Sequence, residues 1–238
     1  MVRNERIELM KKTVLITGAT DGIGKALALL LSQEYQLVLC GRSKEKMETL
    51  LSSLEGGCVY HECFDITDDT SRHRFCERVA TQLGRVDVLV NNAGANPKKD
   101  RVTEIDLNDL RYMFELNCVS SLGMIQELYP LMAKQKSGLI INILSSCCLF
   151  HSPMVGSYTA SKKAMEGISR ILLKEVKGEN IGVCNVYPGG VDTSFRAVPN
   201  PNYLRPETVA RMIKACIENE EGCVHDIVLR PFIEDNIG

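Results

Sequence analysis

The sequence predicts an α/β fold: a single doubly wound domain built on a seven-stranded, mostly parallel sheet with helices on both faces. Three observations carry this expectation. Short β-branched apolar runs alternate with longer amphipathic segments along the chain. The runs are apolar at nearly every position, as in Val14-Leu15-Ile16 and Val88-Leu89-Val90, so both faces of each strand need cover. No repeat, low-complexity stretch or composition shift divides the chain, and a barrel of eight units would need at least one more repeat.

Taken in order, the first strand is read over 13–17 and its helix over 22–33. A second strand, 36–40, leads to a helix over 43–54, and a third, 58–64, to a helix over 69–84 that Asp68 is placed to cap. The fourth, 86–91, precedes a long helical segment, 107–135; the fifth, 139–144, precedes a helix over 157–178, opened by Ser157. The sixth, 181–187, runs into a loop, 188–205, before a helix over 206–219 with Pro206 at its first position, and 224–229 is the seventh strand. This places one domain at 12–238. Residues 1–11 read as a leader, though they serve equally as the start of an extra helical turn.

The formal charge of -2 gives no general attraction to nucleic acid or to an anionic membrane, which leaves a small molecule as the expected partner. The apolar stretch 13–19 is too short for a secretory segment or a membrane span. Ten cysteines fall mostly inside apolar runs and form no C-x-x-C pair, so they read as small buried hydrophobes rather than disulfide or zinc partners, and a reducing cytoplasm fits them. His61, His73 and His225 have no metal-ligand spacing, and no metal is expected.

Between the first strand and first helix lies Thr17-Gly18-Ala19-Thr20-Asp21-Gly22-Ile23-Gly24, with glycines spaced G-x-x-x-G-x-G. Glycine permits a tight turn and a close backbone approach, and the N–H groups at a helix start attract a phosphate, so residues 18 and 20–24 are expected to hold a dinucleotide pyrophosphate. Where an acidic residue would hold the adenosine ribose at the end of the second strand, the chain has Arg42-Ser43. An arginine there pairs with a 2′-phosphate, which favours NADP(H) over NAD(H); the alternative is a solvated charge at a helix start. Asp65 and Ile66, after the third strand, are candidates for contact with adenine, although Asp is also a common turn residue.

Together with Asn91-Asn92-Ala93-Gly94, Asn117, Ser145, Tyr158-x-x-x-Lys162 and Pro188-Gly189, the glycine loop resembles the short-chain dehydrogenase/reductase family over about residues 12–229. The resemblance implies a Rossmann-like fold and hydride transfer between a nicotinamide dinucleotide and a carbonyl or secondary alcohol. Tyr158 and Lys162, at i and i+4, share one helix face. A free phenol titrates near about 10, and a neighbouring ammonium makes it a usable acid and base. Ser145 can hydrogen-bond the substrate oxygen. By the resemblance, Lys162 also binds the nicotinamide ribose, Asn117 holds a water of the proton relay, and Pro188, Gly189, Val191 and Thr193 pack on the nicotinamide and bond its carboxamide. Asn91, Ala93 and Gly94 are expected to combine structural and cofactor contacts.

His151 is read as a loop histidine, Cys147 and Cys148 as lining or supporting the pocket, and Lys163 as lying off the shared face. The short segment 194–205 offers no large helical lid. Leu229-Arg230-Pro231 stands where many ketoacyl reductases of the family carry Asp-Gly-Gly, which counts against a 3-oxoacyl carrier-protein reductase. The compact C-terminal arrangement is more similar to reductases of small hydroxy acids. A homodimer or homotetramer is expected through the helices that carry Asn117 and Tyr158. The competing class is a non-catalytic NADP(H)-sensing protein.

Overall fold

The computed structural model describes residues 11–195 and 199–234; most of the proposed leader therefore lies outside the described residues, as does part of the 194–205 segment. Seven strands are present: β1 (Thr13–Thr17), β2 (Gln36–Gly41), β3 (Cys58–Cys63), β4 (Val88–Asn91), β5 (Gly138–Ile143), β6 (Ile181–Pro188) and β7 (Asp226–Leu229). They form one sheet in the order β3-β2-β1-β4-β5-β6-β7. Every pairing is parallel, so the sheet is wholly rather than mostly parallel, because each return crosses a helical connection instead of a hairpin.

The helices are α1 (Gly22–Leu31), α2 (Lys44–Ser53), α3 (Asp69–Leu83), α4 (Leu107–Phe114), α5 (Ser120–Gln135), α6 (Gly156–Glu175) and α7 (Pro206–Glu218). Two apolar layers flank the sheet, and strand alternation decides which side chain enters which. Val14 and Ile16, Leu37 and Leu39, and Val88 and Val90 face one layer with α1 and α7. Leu15, Val38 and Leu89 face the other with Phe75 of α3, Met124 of α5 and Met165 of α6. The near-continuous apolar strands need both layers.

Local chemistry sets the ends of the elements. Asp68 caps α3 by accepting from Thr70 N, Ser43 caps α2 by accepting from Lys46 N, and Gly84 closes α3 in the left-handed region. The fourth strand starts two residues later than its apolar run because Asp87 is a clamp: its carboxylate accepts from Thr13 N at 2.8 Å and binds Arg85 through both oxygens. The 107–135 segment is not one regular helix. A π-helical stretch, Glu115–Val119, separates α4 from α5, and Asn117 sits in its middle. Such insertions shift the helical register by one residue and occur often at functional sites.

All ten cysteines are free thiols, seven of them buried. Among the described residues, no helix is long and apolar enough to cross a membrane, and no group of three His, Cys, Asp or Glu side chains is placed to hold a metal ion.

Candidate active site

With β1 between β2 and β4, chain connections diverge on either side of the β1/β4 pair and leave a crevice at its C-terminal edge. Both lips come from sequence motifs. Gly18 adopts φ +62°, where a side chain would be strained, and a Cβ there would lie 2.9 Å from Ala93 Cα. The two lips are laced together by a residue that the sequence reading did not single out. Asn92 Nδ2 donates to Thr17 O at 2.9 Å and Gly18 O at 3.1 Å, while Thr17 Oγ1 accepts from the N–H groups of Asn92 and Ala93. The doubled asparagine was the available signal.

Around the glycine loop, Thr20 packs on Gly41, Ile23 turns into the core, and Gly24 lies so close to Gly18 O that a side chain would collide with it. Asp21 caps α1 through Gly22 N and forms an ion pair with Lys46. Burial pushes its carboxyl up, but hydrogen bonds from Lys46, Ser194 and Gly22 N outweigh that and hold it below the usual range. Arg42 is exposed and its guanidinium reaches Tyr112 Oη at 3.5 Å.

The side chains of three residues expected at the cofactor also have partners within the protein. The Asp65 carboxylate closes a turn, accepting from Thr67 N at 3.0 Å and Thr67 Oγ1 at 2.8 Å. Ile66 is buried in the core. The Asn91 side chain points into the sheet, donating to Asn142 Oδ1 at 3.0 Å, and heads a buried chain that continues through Ser169 to Asn185. A strand-end residue has two faces to choose from, and here a polar partner on β5 took the inner one.

The residues of the expected tetrad come from three places: the π-helical stretch, the end of β5 and α6. Ser145 follows β5 and its hydroxyl accepts from Cys147 N at 3.3 Å. Tyr158, in the first turn of α6, is half-buried, with Lys162 Nζ 6.0 Å from its ring centroid and the Phe195 ring at 5.9 Å. Lys162 is 5% exposed and donates to Ile143 O at 2.8 Å. Burial pulls its ammonium down to about 8, against the opposing pull of the nearby thiols. Lys163 and His151 are exposed, as expected.

Asn117, expected to hold a water of the proton relay, has a carboxamide hydrogen-bonded on both sides within the protein. Its Oδ1 accepts from Ala95 N at 2.9 Å, and its Nδ2 donates to Ala95 O at 3.0 Å and Ser161 Oγ at 3.1 Å. Ser161 in turn donates to Tyr158 O. The carboxamide therefore braces the β4 loop against the first turn of α6. A Cβ on Gly94 would come within 2.8 Å of Asn117 Oδ1 and 3.1 Å of Lys162 Nζ, so this glycine lets the three groups meet. Ser161, fully buried, had no sequence signal apart from lying beside Lys162.

Cys147 and Cys148 are buried behind Ser145. Cys148 hydrogen-bonds to Cys147, which draws the Cys147 thiol down despite burial, with help from Ser145, Thr159 and the Lys162 charge, while Cys148 is pushed up. On the remaining side, Pro188 ends β6, Gly189 N donates to Leu229 O, and Val191 is buried in a bridge with Leu204. Thr193 reaches back across the crevice, its methyl 3.2 Å from where a Gly22 Cβ would stand.

These groups fit a dinucleotide: a left-handed glycine turn at a helix start, an exposed arginine at the second strand end, and a lysine–tyrosine pair at the far end of the same edge. The fold and this crevice define a class, the nucleotide-dependent α/β oxidoreductases. A family model described as short chain dehydrogenase matches residues 12–203, and the chain belongs to the short-chain dehydrogenase/reductase family.

The chain is 32% identical over 234 residues to a 3-oxoacyl-[acyl-carrier-protein] reductase of Thermotoga maritima, covering 92% of this chain and 95% of that one. It is 33% identical over 186 residues to an NADPH-dependent pterin aldehyde reductase of Arabidopsis thaliana, covering 77% and 76%. Among solved structures, an alcohol dehydrogenase of the archaeon Thermococcus sibiricus, complexed with 5-hydroxy-NADP, superposes with a TM-score of 0.85 at 25% identity, covering 94% of this chain and 98% of that one.

Proposed function

We propose that this oxidoreductase interconverts a carbonyl and a secondary alcohol on a small molecule, with NADP(H) as the cofactor and Tyr158 as acid and base. The carrying observation is the packing of the buried Lys162 beside the Tyr158 ring, with Ser145 delivered by the neighbouring strand. When bound, the nicotinamide supplies the hydride chemistry. In reduction the Ser145 hydroxyl hydrogen-bonds the substrate oxygen, and the Tyr158 phenol gives that oxygen its proton as the carbonyl carbon gains hydride. Lys162 stabilises the phenolate that remains. Asn117 is a positioning residue that holds Gly94 and the Tyr158 turn in place.

Arg42, exposed and without a neighbouring carboxylate at the strand end, supports NADP(H) over NAD(H), and the names of two similar proteins mention that cofactor. The glycine loop with Thr20 to Gly24, Arg42, Ser43, Ala93, Gly94, Pro188, Gly189, Val191 and Thr193 would hold it, with Asp65, whose Oδ1 alone is taken by Thr67, and the chain at Ile66 and Asn91 beside the adenosine and ribose. A homodimer or homotetramer suits the apolar groove of Leu122, Ile125, Ile168, Ile171 and Leu172 between α5 and α6. Ten free thiols fit a reducing cytoplasm.

The test is NADPH oxidation with a panel of ketones, aldehydes and oxo acids. Turnover that falls by about 10²- to 10⁴-fold in Tyr158→Phe, with NADPH binding retained, is the expected result. Tight NADPH binding with no turnover across the panel would instead establish the sensing protein.

A further inference from the structure

After β7 the chain turns back towards the crevice. Glu234 Oε1 accepts from Gly190 N at 2.7 Å and Oε2 from Arg230 Nε at 3.2 Å, and Oε2 also lies against Gly189, where a side chain would stand. Arg230 lies over the Phe150 ring, its Cζ 4.1 Å from the centroid, and its side chain is 12% exposed. A main-chain N–H and a guanidinium thus converge on one carboxylate, and both walls of this cradle belong to the site. Gly190 is two residues beyond Pro188, and Phe150 lies in the loop joining Ser145 to Tyr158.

We propose that Gly190 N–H and Arg230 form a carboxylate subsite on the β7 side of the substrate cleft. In this structure it is held by the chain's own Glu234; in turnover it takes the carboxylate of a small oxo or hydroxy acid. The inference rests on reading the Ser145–Tyr158 site as a carbonyl-reducing one. A stacked guanidinium with an N–H beside it recognises a planar anion by charge-assisted hydrogen bonds, and a neutral ester or ketone gains nothing comparable. Glu234 can leave. Its neighbours Phe232 and Ile233 face solvent, and within residues 231–234 the main-chain hydrogen bond is a single turn, Glu234 N to Pro231 O.

The test compares pyruvate with methyl pyruvate, and acetoacetate with methyl acetoacetate, by NADPH oxidation. In parallel, the thermal stability of the protein–NADP⁺ complex is measured with lactate and 3-hydroxybutyrate against their methyl esters. In wild type the acids are expected to be preferred and to raise Tm more than the esters. Arg230→Met should cut kcat/KM for the acids by about tenfold or more while moving the esters by no more than about twofold, and Arg230→Lys should restore part of the loss. Glu234→Gln should lower KM for the acids alone, because their competitor is weakened.

Equal handling of acids and esters by wild type, or an Arg230→Met loss shared by both, overturns the subsite while leaving the reductase reading intact. Acid-specific stabilisation that vanishes in Arg230→Met, without NADPH oxidation, keeps the subsite and overturns the reductase reading.

Discussion

Replacing Lys162 with methionine removes a buried charge whose nitrogen lies 6.0 Å from the Tyr158 ring centroid. At an effective dielectric of about 20, a unit charge at that distance favours the phenolate by about 3 kcal/mol, or roughly two pKa units. In Lys162→Met the acidic limb of the pH profile for alcohol oxidation, where the phenolate forms, should therefore move up by about two units, and Lys162→Arg should largely hold it in place. The same shift should appear in an ultraviolet titration of tyrosinate, taken as the difference between each protein and its Tyr158→Phe counterpart, which needs no turnover. An unmoved limb and an unmoved titration would refute the electrostatic role.

Stability should respond in the opposite direction. Burial pulls Lys162 down to about 8, so near neutral pH the fold carries a desolvated charge that the unfolded chain solvates freely. Methionine removes that cost of about 3 kcal/mol and loses about 1 for the hydrogen bond to Ile143 O, a net gain of about 2 kcal/mol at pH 7. A depressed lysine pKa means that the folded state sheds its proton first. Wild type should therefore recover the difference as pH rises from about 8 towards the ordinary lysine value, and urea denaturation of the pair across that range measures it.

Arg42→Ala should weaken NADPH binding by about ten- to a hundredfold and NADH binding little, as judged by dissociation constants; equal losses would remove Arg42 from 2′-phosphate recognition. Gly94→Ala forces a methyl to 2.8 Å from Asn117 Oδ1 and 3.1 Å from Lys162 Nζ, and should cost about 10²-fold in kcat/KM by displacing both; near-normal kinetics would show that the loop yields. Phe75→Ala empties a fully buried position between Tyr60 and Phe64, whose rings lie 5.6 Å and 5.2 Å away, and should lower unfolding stability by about 3–5 kcal/mol in urea; a loss under about 1 kcal/mol would contradict the packing.

The sequence alone determined what depends on near neighbours along the chain. Apolar periodicity set the seven strands and their alternation with helices, the glycine spacing set the turn after β1, and the i, i+4 spacing put Tyr158 and Lys162 on one face. These are short-range properties. Tertiary structure decided which way the side chains at element ends turned, because their partners lie far away in sequence. Asp65 put one carboxylate oxygen into a local turn, Asn91 faced Asn142 across the sheet, and the Asn117 carboxamide found Ala95 and Ser161. The π-helical register at Asn117, the lacing by Asn92 and the return of Glu234 to Gly190 left no periodic trace. Each exists because a polar group, once buried by folding, had to take the nearest partner the assembled fold offered.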